Sequence, residues 1–281
     1  MSCPDCFNGA IHEGTPTGTV TKLHDVDVYV AEPASGNPAK GIVVVIPDIF
    51  GWDFVNIRLL ADHFAKKREY RVYVPDFMKG NAAPVSTLSS MQKVLEPKTW
   101  YDTFTRPYHF LSLMSAIVSA IYLNRFGKTF PVAKRFMTSL RQNEAANLPV
   151  GVAGYCWGGK HVVLLCEGFK TEDGKPLVDA GFTAHPSFLG LYGEIERLKV
   201  PVSFAVGDLD NRVSSEQAKR IEEIVLAKPD GQRGECRVYP GYGHGFACRV
   251  DVKNYDPKGA VEAEDQALAW FEKHFSQVQG Y

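Results

Sequence analysis

The chain has 281 residues, 45% hydrophobic and 22% charged, with a formal net charge of -1. That balance fits an ordinary globular chain, long enough for one large α/β domain or two small ones. Near-neutral charge, with no block of consecutive basic residues, argues against nucleic acid or an anionic membrane as the main partner.

The first residues, Met1 to Cys6, carry neither a basic run nor an apolar core. No secretory leader is expected from them, and a cytoplasmic location is the expectation. The nearest candidate for a membrane span, Phe110 to Leu123, is too short and contains serines. The six cysteines are Cys3, Cys6, Cys156, Cys166, Cys236 and Cys248, expected as thiols in a chain of this size without an export signal. Cys3 and Cys6 have the spacing of half a zinc site, but no second pair follows at finger spacing. No metal is expected.

Alternation over Val20 to Val30 reads as one early strand, followed by a Pro- and Gly-containing loop over Pro33 to Lys40. Gly41 to Pro47 is a continuous β-branched run, as in a parallel strand buried on both faces. Phe54, Ile57, Leu60, Ala61 and Phe64 recur at helical spacing, and Tyr70 to Asp76 is a further strand. Together these make a βαβ unit. Asn81 to Asn147 reads as a Ser-rich loop and then two or three helices, with Leu111, Met114, Val118 and Ile121 on one stripe. Extra helices packed on the sheet are the expectation, with a lid over a pocket as the other reading.

Regular alternation then resumes. Strands are predicted at Pro149 to Tyr155, Gly181 to His185, Val200 to Gly207 and Cys236 to Tyr239. Helices are predicted at Trp157 to Glu167, Ser214 to Leu226 and Ala260 to Gln277. In the last, Ala263, Ala267, Trp270, Phe271 and His274 share one side. With no repeat and no long linker, residues 1–281 read as a single doubly wound α/β domain carrying a helical segment around 81–147.

Gly154-x-Cys156-x-Gly158 sits between a predicted strand and a predicted helix. This is nucleophile-elbow spacing with Cys in place of Ser. The helix N-terminus behind the sulfur would favour thiolate, and the Trp157 N–H would face an oxyanion on the attacked carbonyl. A buried structural thiol is the alternative and suits Cys166. A nucleophile needs a base, and the base an orienting acid. After the next strands, Asp208 and Asp210 offer the acid. Asp210 is the choice, with Asp208 as a turn-capping residue. His244, in a Gly-rich loop after the last strand, offers the base. His185 competes but precedes Asp210 in the chain, and is given a pocket-lining place. His12, His63 and His161 are assigned to solvated faces or ordinary hydrogen bonds. The loop after the Gly41–Pro47 strand would give the second oxyanion N–H, from Ile49, with Asp48 beside it facing the site or capping the next helix.

Gly-Tyr-Cys-Trp-Gly-Gly, the Asp48-Ile-Phe-Gly run, the Asp210 turn and His244-Gly245-Phe246, in that combination, resemble the dienelactone hydrolase family. The resemblance runs from about Thr17 to the C-terminal helix. It implies an α/β-hydrolase fold, a mostly parallel central sheet with helices on both faces. It also implies a Cys156–His244–Asp210 triad, oxyanion donors from Ile49 and Trp157, and cleavage of small lactones or esters without a cofactor. Tyr155, His185, Asp48 and Arg249 are the expected neighbours of the substrate. Two features depart from well-known bacterial members. Asp48 stands where they carry a glutamate, and Arg249 is offset by one residue from a carboxylate-binding arginine, with Lys79 the nearest basic candidate for the other. The expected function is hydrolysis of a small ester or lactone through an acyl-cysteine. Broad carboxylesterase or thioesterase activity, or a non-catalytic binding role on the same fold, are the alternatives. The expected partner is a small molecule, with no nucleic acid and no membrane, in a monomer or homodimer.

Overall fold

The computed structural model describes residues 9–95, 99–250 and 256–278. Its strands are β1 (Thr19–Leu23), β2 (Val26–Ala31), β3 (Ile42–Ile46), β4 (Arg71–Pro75), β5 (Val150–Tyr155), β6 (Ala180–Ala184), β7 (Val202–Gly207) and β8 (Glu235–Tyr239). They form one sheet in the order β1-β2-β4-β3-β5-β6-β7-β8. The β1–β2 and β2–β4 pairs are antiparallel, and from β4 to β8 all pairs are parallel.

The Val20–Val30 stretch is two strands rather than one. His24 and Asp25 both take positive φ (49° and 64°), which turns the chain into a two-residue hairpin that pairs Leu23 with Val26. The apolar alternation runs through that turn, and His-Asp is a weak hairpin signal, so the sequence pattern hides the break. The Gly41–Pro47 reading holds: all five residues of β3 are fully buried. Successive side chains of a strand point to opposite faces, so both faces of the sheet are covered.

The helices are α1 (Val55–Arg68), α2 (Ser86–Leu95), α3 (Trp100–Leu123), α4 (Phe126–Gln142), α5 (Trp157–Leu165), α6 (Gly193–Glu196), α7 (Ser215–Leu226), α8 (Phe246–Arg249) and α9 (Lys258–Phe275). Local chemistry sets several of their ends. Ser214 and Gln217 close a reciprocal capping box at α7, as Thr99 and Asp102 do at α3. Lys66, Lys67 and Arg68 fill the last turn of α1, where the helix dipole favours cations. α1 packs with α8 and α9, while α5 packs with α4 and α6, and α6 with α7. The α9 face read from the sequence is the buried one: Ala263, Ala267, Trp270, Phe271 and His274 all lie in it.

The helical segment after β4 is α2, α3 and α4. Here the sequence stripe needs correction. The residues of α3 that enter the core are Leu113, Ile117 and Ala120. Leu111, Val118 and Ile121 are exposed. α3 carries apolar residues almost all round, so periodicity alone does not say which stripe faces in. No single helix among the described residues is long and apolar enough to cross a membrane; α3 and α4 reach that composition only as a pair bent by 54°.

Candidate active site

The site lies where the parallel strands end. Asp48 stands two residues past β3, Cys156 directly after β5, His185 directly after β6, Asp210 in the turn after β7 and His244 in the loop after β8. This carboxyl edge is where open α/β sheets assemble ligand sites.

Cys156 caps α5 with φ 51° and ψ -109°, a backbone conformation that a side-chain-bearing residue rarely holds. The flanking glycines are forced by close approach. A Cβ on Gly154 would meet the Gly158 carbonyl oxygen at 2.5 Å, and one on Gly158 would meet the Ile46 carbonyl oxygen at 2.1 Å. The elbow thus wedges the sulfur between β5 and α5, buried under neighbouring loops. Among the described residues, neither the Ile49 N–H nor the Trp157 N–H donates to a backbone acceptor, and Trp157 opens the helix directly behind Cys156, where first-turn N–H groups lack intrahelical partners.

The ring of His244 joins the sulfur to a carboxylate. Its Nδ1 donates to Asp210, 2.9 Å from Oδ2 and 3.1 Å from Oδ1. The Arg212 N–H donates to Asp210 Oδ1 at 2.7 Å, which fixes the carboxylate plane. On the other side the imidazole hydrogen-bonds Cys156. Burial disfavours a charged His244, but the negative charge on Cys156 and the Asp210 carboxylate outweigh it and raise its pKa to about 9. Asp208 does not cap its own turn; its carboxylate accepts from the Gly241 N–H in the loop after β8 at 2.7 Å.

Ser187 completes this cluster and was not singled out in the sequence. Its Oγ lies 3.5 Å from Cys156 Sγ and 3.4 Å from His244 Nε2, and its N–H donates to the Cys156 carbonyl at 2.9 Å. His185 and Phe188 on either side hold positive φ (40° and 62°), so the backbone bends to bring the hydroxyl in. The available signal was a polar residue just past a strand end on the same sheet edge.

His185 is fully buried, its ring 5.0 Å from that of His244. Its Nε2 faces the Cys248 thiol at 3.7 Å rather than Cys156. Burial, then the charges of His244 and Arg249, push its pKa well below the usual value, so the ring is neutral. Tyr155 is buried behind it, packed on Phe182 and His185. Burial raises the Cys166 thiol, as it does the Cys248 thiol, whose neighbour Asp48 adds to the effect.

Asp48 does not cap α1. It accepts from the Phe50 N–H at 2.9 Å and pairs with the guanidinium of Arg249. Burial raises the Asp48 pKa, Arg249 opposes that, and the nearby Cys156 charge adds to it. Arg249 is itself buried, stacked over Phe50 at 5.3 Å. The structure therefore places Arg249 in the wall of the site, committed to Asp48 rather than open to an incoming carboxylate. Lys79 is exposed at the turn after β4. Of the other histidines, His12 binds the Val250 carbonyl and His63 faces Glu264. His161 is buried under Trp157 and Phe126, bonded to Thr129. No three His, Cys, Asp or Glu side chains among the described residues converge as a metal site. Cys3 and Cys6 lie outside the described residues.

The helical segment reaches the site through the end of α3. The Trp157 indole donates to the Asn124 carbonyl at 3.2 Å, and Phe126 stacks on the same indole.

Strand order, elbow and carboxyl-edge cluster define an α/β-hydrolase. Sequence comparison narrows the class. The family model of the dienelactone hydrolase family matches residues 26–275, and the chain belongs to that family. It is an ester hydrolase of that family. Similar proteins include hydrolase tropI of Talaromyces stipitatus, 28% identical over 99% of this chain and 97% of that one. Another is dienlactone hydrolase 1 of Gibberella moniliformis, 28% identical over 94% of this chain and 93% of that one. Among solved structures, the dienelactone hydrolase of Anabaena variabilis superposes with a TM-score of 0.55 at 14% identity, covering 94% of this chain and 100% of that one, a likeness of fold.

Proposed function

We propose that the protein hydrolyses a small ester or lactone through an acyl-cysteine, with Cys156 as nucleophile, His244 as proton carrier and Asp210 as its orienter. The observation that carries this is the placement of His244, with Asp210 on Nδ1 and the Cys156 sulfur on the opposite side of one buried ring. A thiolate beside an imidazolium adds to the carbonyl carbon. The resulting oxyanion is received by the Ile49 and Trp157 N–H groups. Collapse breaks the carbon–oxygen bond, and the leaving alkoxide takes the proton from Nε2.

The second half-reaction follows from the charges around His244. Acylation removes the negative charge on sulfur, which is the larger of the influences holding the imidazole protonated. Burial then favours the neutral ring, and His244 becomes the base that takes a proton from attacking water. The collapsing intermediate expels the Cys156 thiolate and releases the acid. One ring thus serves as acid and then as base because its strongest neighbour changes charge between the steps.

The relative named a dienlactone hydrolase favours a lactone. The engagement of Arg249 by Asp48 means that a substrate carboxylate must compete with Asp48 for that guanidinium. Small uncharged esters are therefore included in the expected range. The test is hydrolysis of p-nitrophenyl acetate and of a dienelactone by wild type and Cys156→Ala, with iodoacetamide labelling read by mass spectrometry. Turnover lost with Cys156, and the label on Cys156, are expected. Turnover that survives Cys156→Ala, or none in wild type with Cys156 unlabelled while other thiols react, would overturn the mechanism.

A further inference from the structure

The outer face of α3 is an apolar surface that the proposed chemistry does not use. Trp100, Phe104, Tyr108, Leu111, Val118 and Tyr122 lie along it, each between 60% and 81% exposed. The opposite face of the same helix is occupied, with Leu113, Ile117 and Ala120 buried and α2 packed beside it. α3 thus has one apolar face packed and a second turned to the surface, with Arg125 and Lys128 over the Tyr122 ring at its end.

Aromatic side chains carry about 150–250 Å² each when buried. The four in this stripe, mostly exposed, offer roughly 600 Å². That alone reaches the largest apolar patch usual on a monomer, about 300–600 Å². With Leu111 and Val118 added, the face approaches the roughly 800 Å² that each partner contributes to a standard interface. Its composition is that of a protein interface. Between Thr99 and Asn124 the sequence holds Trp, Tyr, Phe, Leu and Met but no Lys and no Glu, and its charged residues there are Asp102 and Arg106. A helix lying on a lipid surface presents a Lys- and Arg-rich polar face opposite the apolar one, and the opposite face here is core.

The order of residues selects the partner. Apart from Tyr108, which mirrors the half-buried Met114, the stripe is symmetric about Leu111. Trp100 and Tyr122 are equidistant from it, as are Phe104 and Val118, and so are the small Pro107 and Ser115. Two antiparallel copies crossing at Leu111 would set Trp100 on Tyr122 of the second copy and Phe104 on its Val118. Leu111 would meet Leu111 on the two-fold axis. A two-fold interface requires this reciprocity, residue i on j and j on i. We propose that α3 is the isologous interface of a homodimer, with the helices antiparallel and Leu111 at the axis. This inference does not depend on the reaction proposed above.

Sedimentation velocity of the full chain at about 1 to 100 µM tests it. Wild type is expected to be a dimer in this range. Leu111→Asp, which puts two carboxylates together at the axis, is expected to weaken it at least about 10-fold, the equivalent of about 1.4 kcal/mol. Phe104→Lys and Val118→Glu are each expected to weaken the dimer. Their combination in one chain is expected to recover it, because each introduced lysine then faces an introduced glutamate of the other copy. All these positions are exposed, so circular dichroism and p-nitrophenyl acetate turnover should stay at the wild-type level. A wild type that remains monomeric throughout would overturn the proposal. So would a dimer indifferent to Leu111→Asp, or a combined variant no better than its parents. A monomer that pellets with phosphatidylcholine–phosphatidylserine vesicles would assign the stripe to a lipid surface instead.

Discussion

Replacing Asp210 by Asn tests the His244 linkage with almost no change of shape. Asp210 Oδ1 accepts from the Arg212 N–H at 2.7 Å, so in the variant that position keeps the amide oxygen. The amide NH2 then falls where Oδ2 stood, 2.9 Å from His244 Nδ1. Two donors cannot face each other, so the ring is driven to the tautomer with its proton on Nε2, towards Cys156. The base position is lost while the fold is kept. The cost has two parts. A hydrogen bond to a charged partner contributes about 1.5–3 kcal/mol. The ring also loses part of what lifts its pKa from 6.5 to about 9, and that whole lift corresponds to roughly 3 kcal/mol in favour of imidazolium. A fall in kcat/KM of about 10²- to 10⁴-fold is expected, in line with orienter substitutions in other triads.

The assay is hydrolysis of ethyl acetate, whose ethoxide must leave protonated, followed across pH for wild type and variant. On the proposed mechanism the leaving alkoxide takes the proton on Nε2, so activity is expected to fall as pH rises through about 9. In Asp210→Asn the alkaline limb moves to lower pH, because a negative charge that favours imidazolium is gone. Activity within about 5-fold of wild type, with the limb unmoved, would show that Asp210 does not govern the ring and would refute this reasoning.

Two further expectations concern residues around Cys156 and His244. Ser187→Ala removes contacts of 3.5 and 3.4 Å, both long for hydrogen bonds. A loss of about 3- to 10-fold in kcat/KM is expected, in keeping with about 0.5–1.5 kcal/mol per bond. A loss beyond about 10³-fold would instead make its hydroxyl an obligatory proton relay. Arg249→Met leaves the Asp48 carboxylate buried without its cation. Denaturant unfolding should show a loss of about 3–5 kcal/mol, and Asp48→Asn combined with Arg249→Met should restore much of it.

The sheet and the elbow were legible because each rests on a local rule. β3 announces itself by five consecutive apolar β-branched residues, and the elbow by two glycines whose Cβ atoms would collide with backbone. What stayed hidden depends on contacts between distant segments. Ser187 reaches the sulfur only because residues 185–188 bend through positive φ. Arg249 looks free in the sequence, yet its partner lies 201 positions away, and a buried guanidinium takes the nearest carboxylate before any substrate arrives. The α3 error has the same origin in reverse. Leu111, Met114, Val118 and Ile121 follow helical spacing as faithfully as Leu113, Ile117 and Ala120 do, and both faces are apolar. Spacing identifies a face; a neighbour decides whether it is covered. In this helix two faces satisfy the rule and only one has α2 beside it, so the same ambiguity that misleads the reading of the core is what exposes a surface for a second chain.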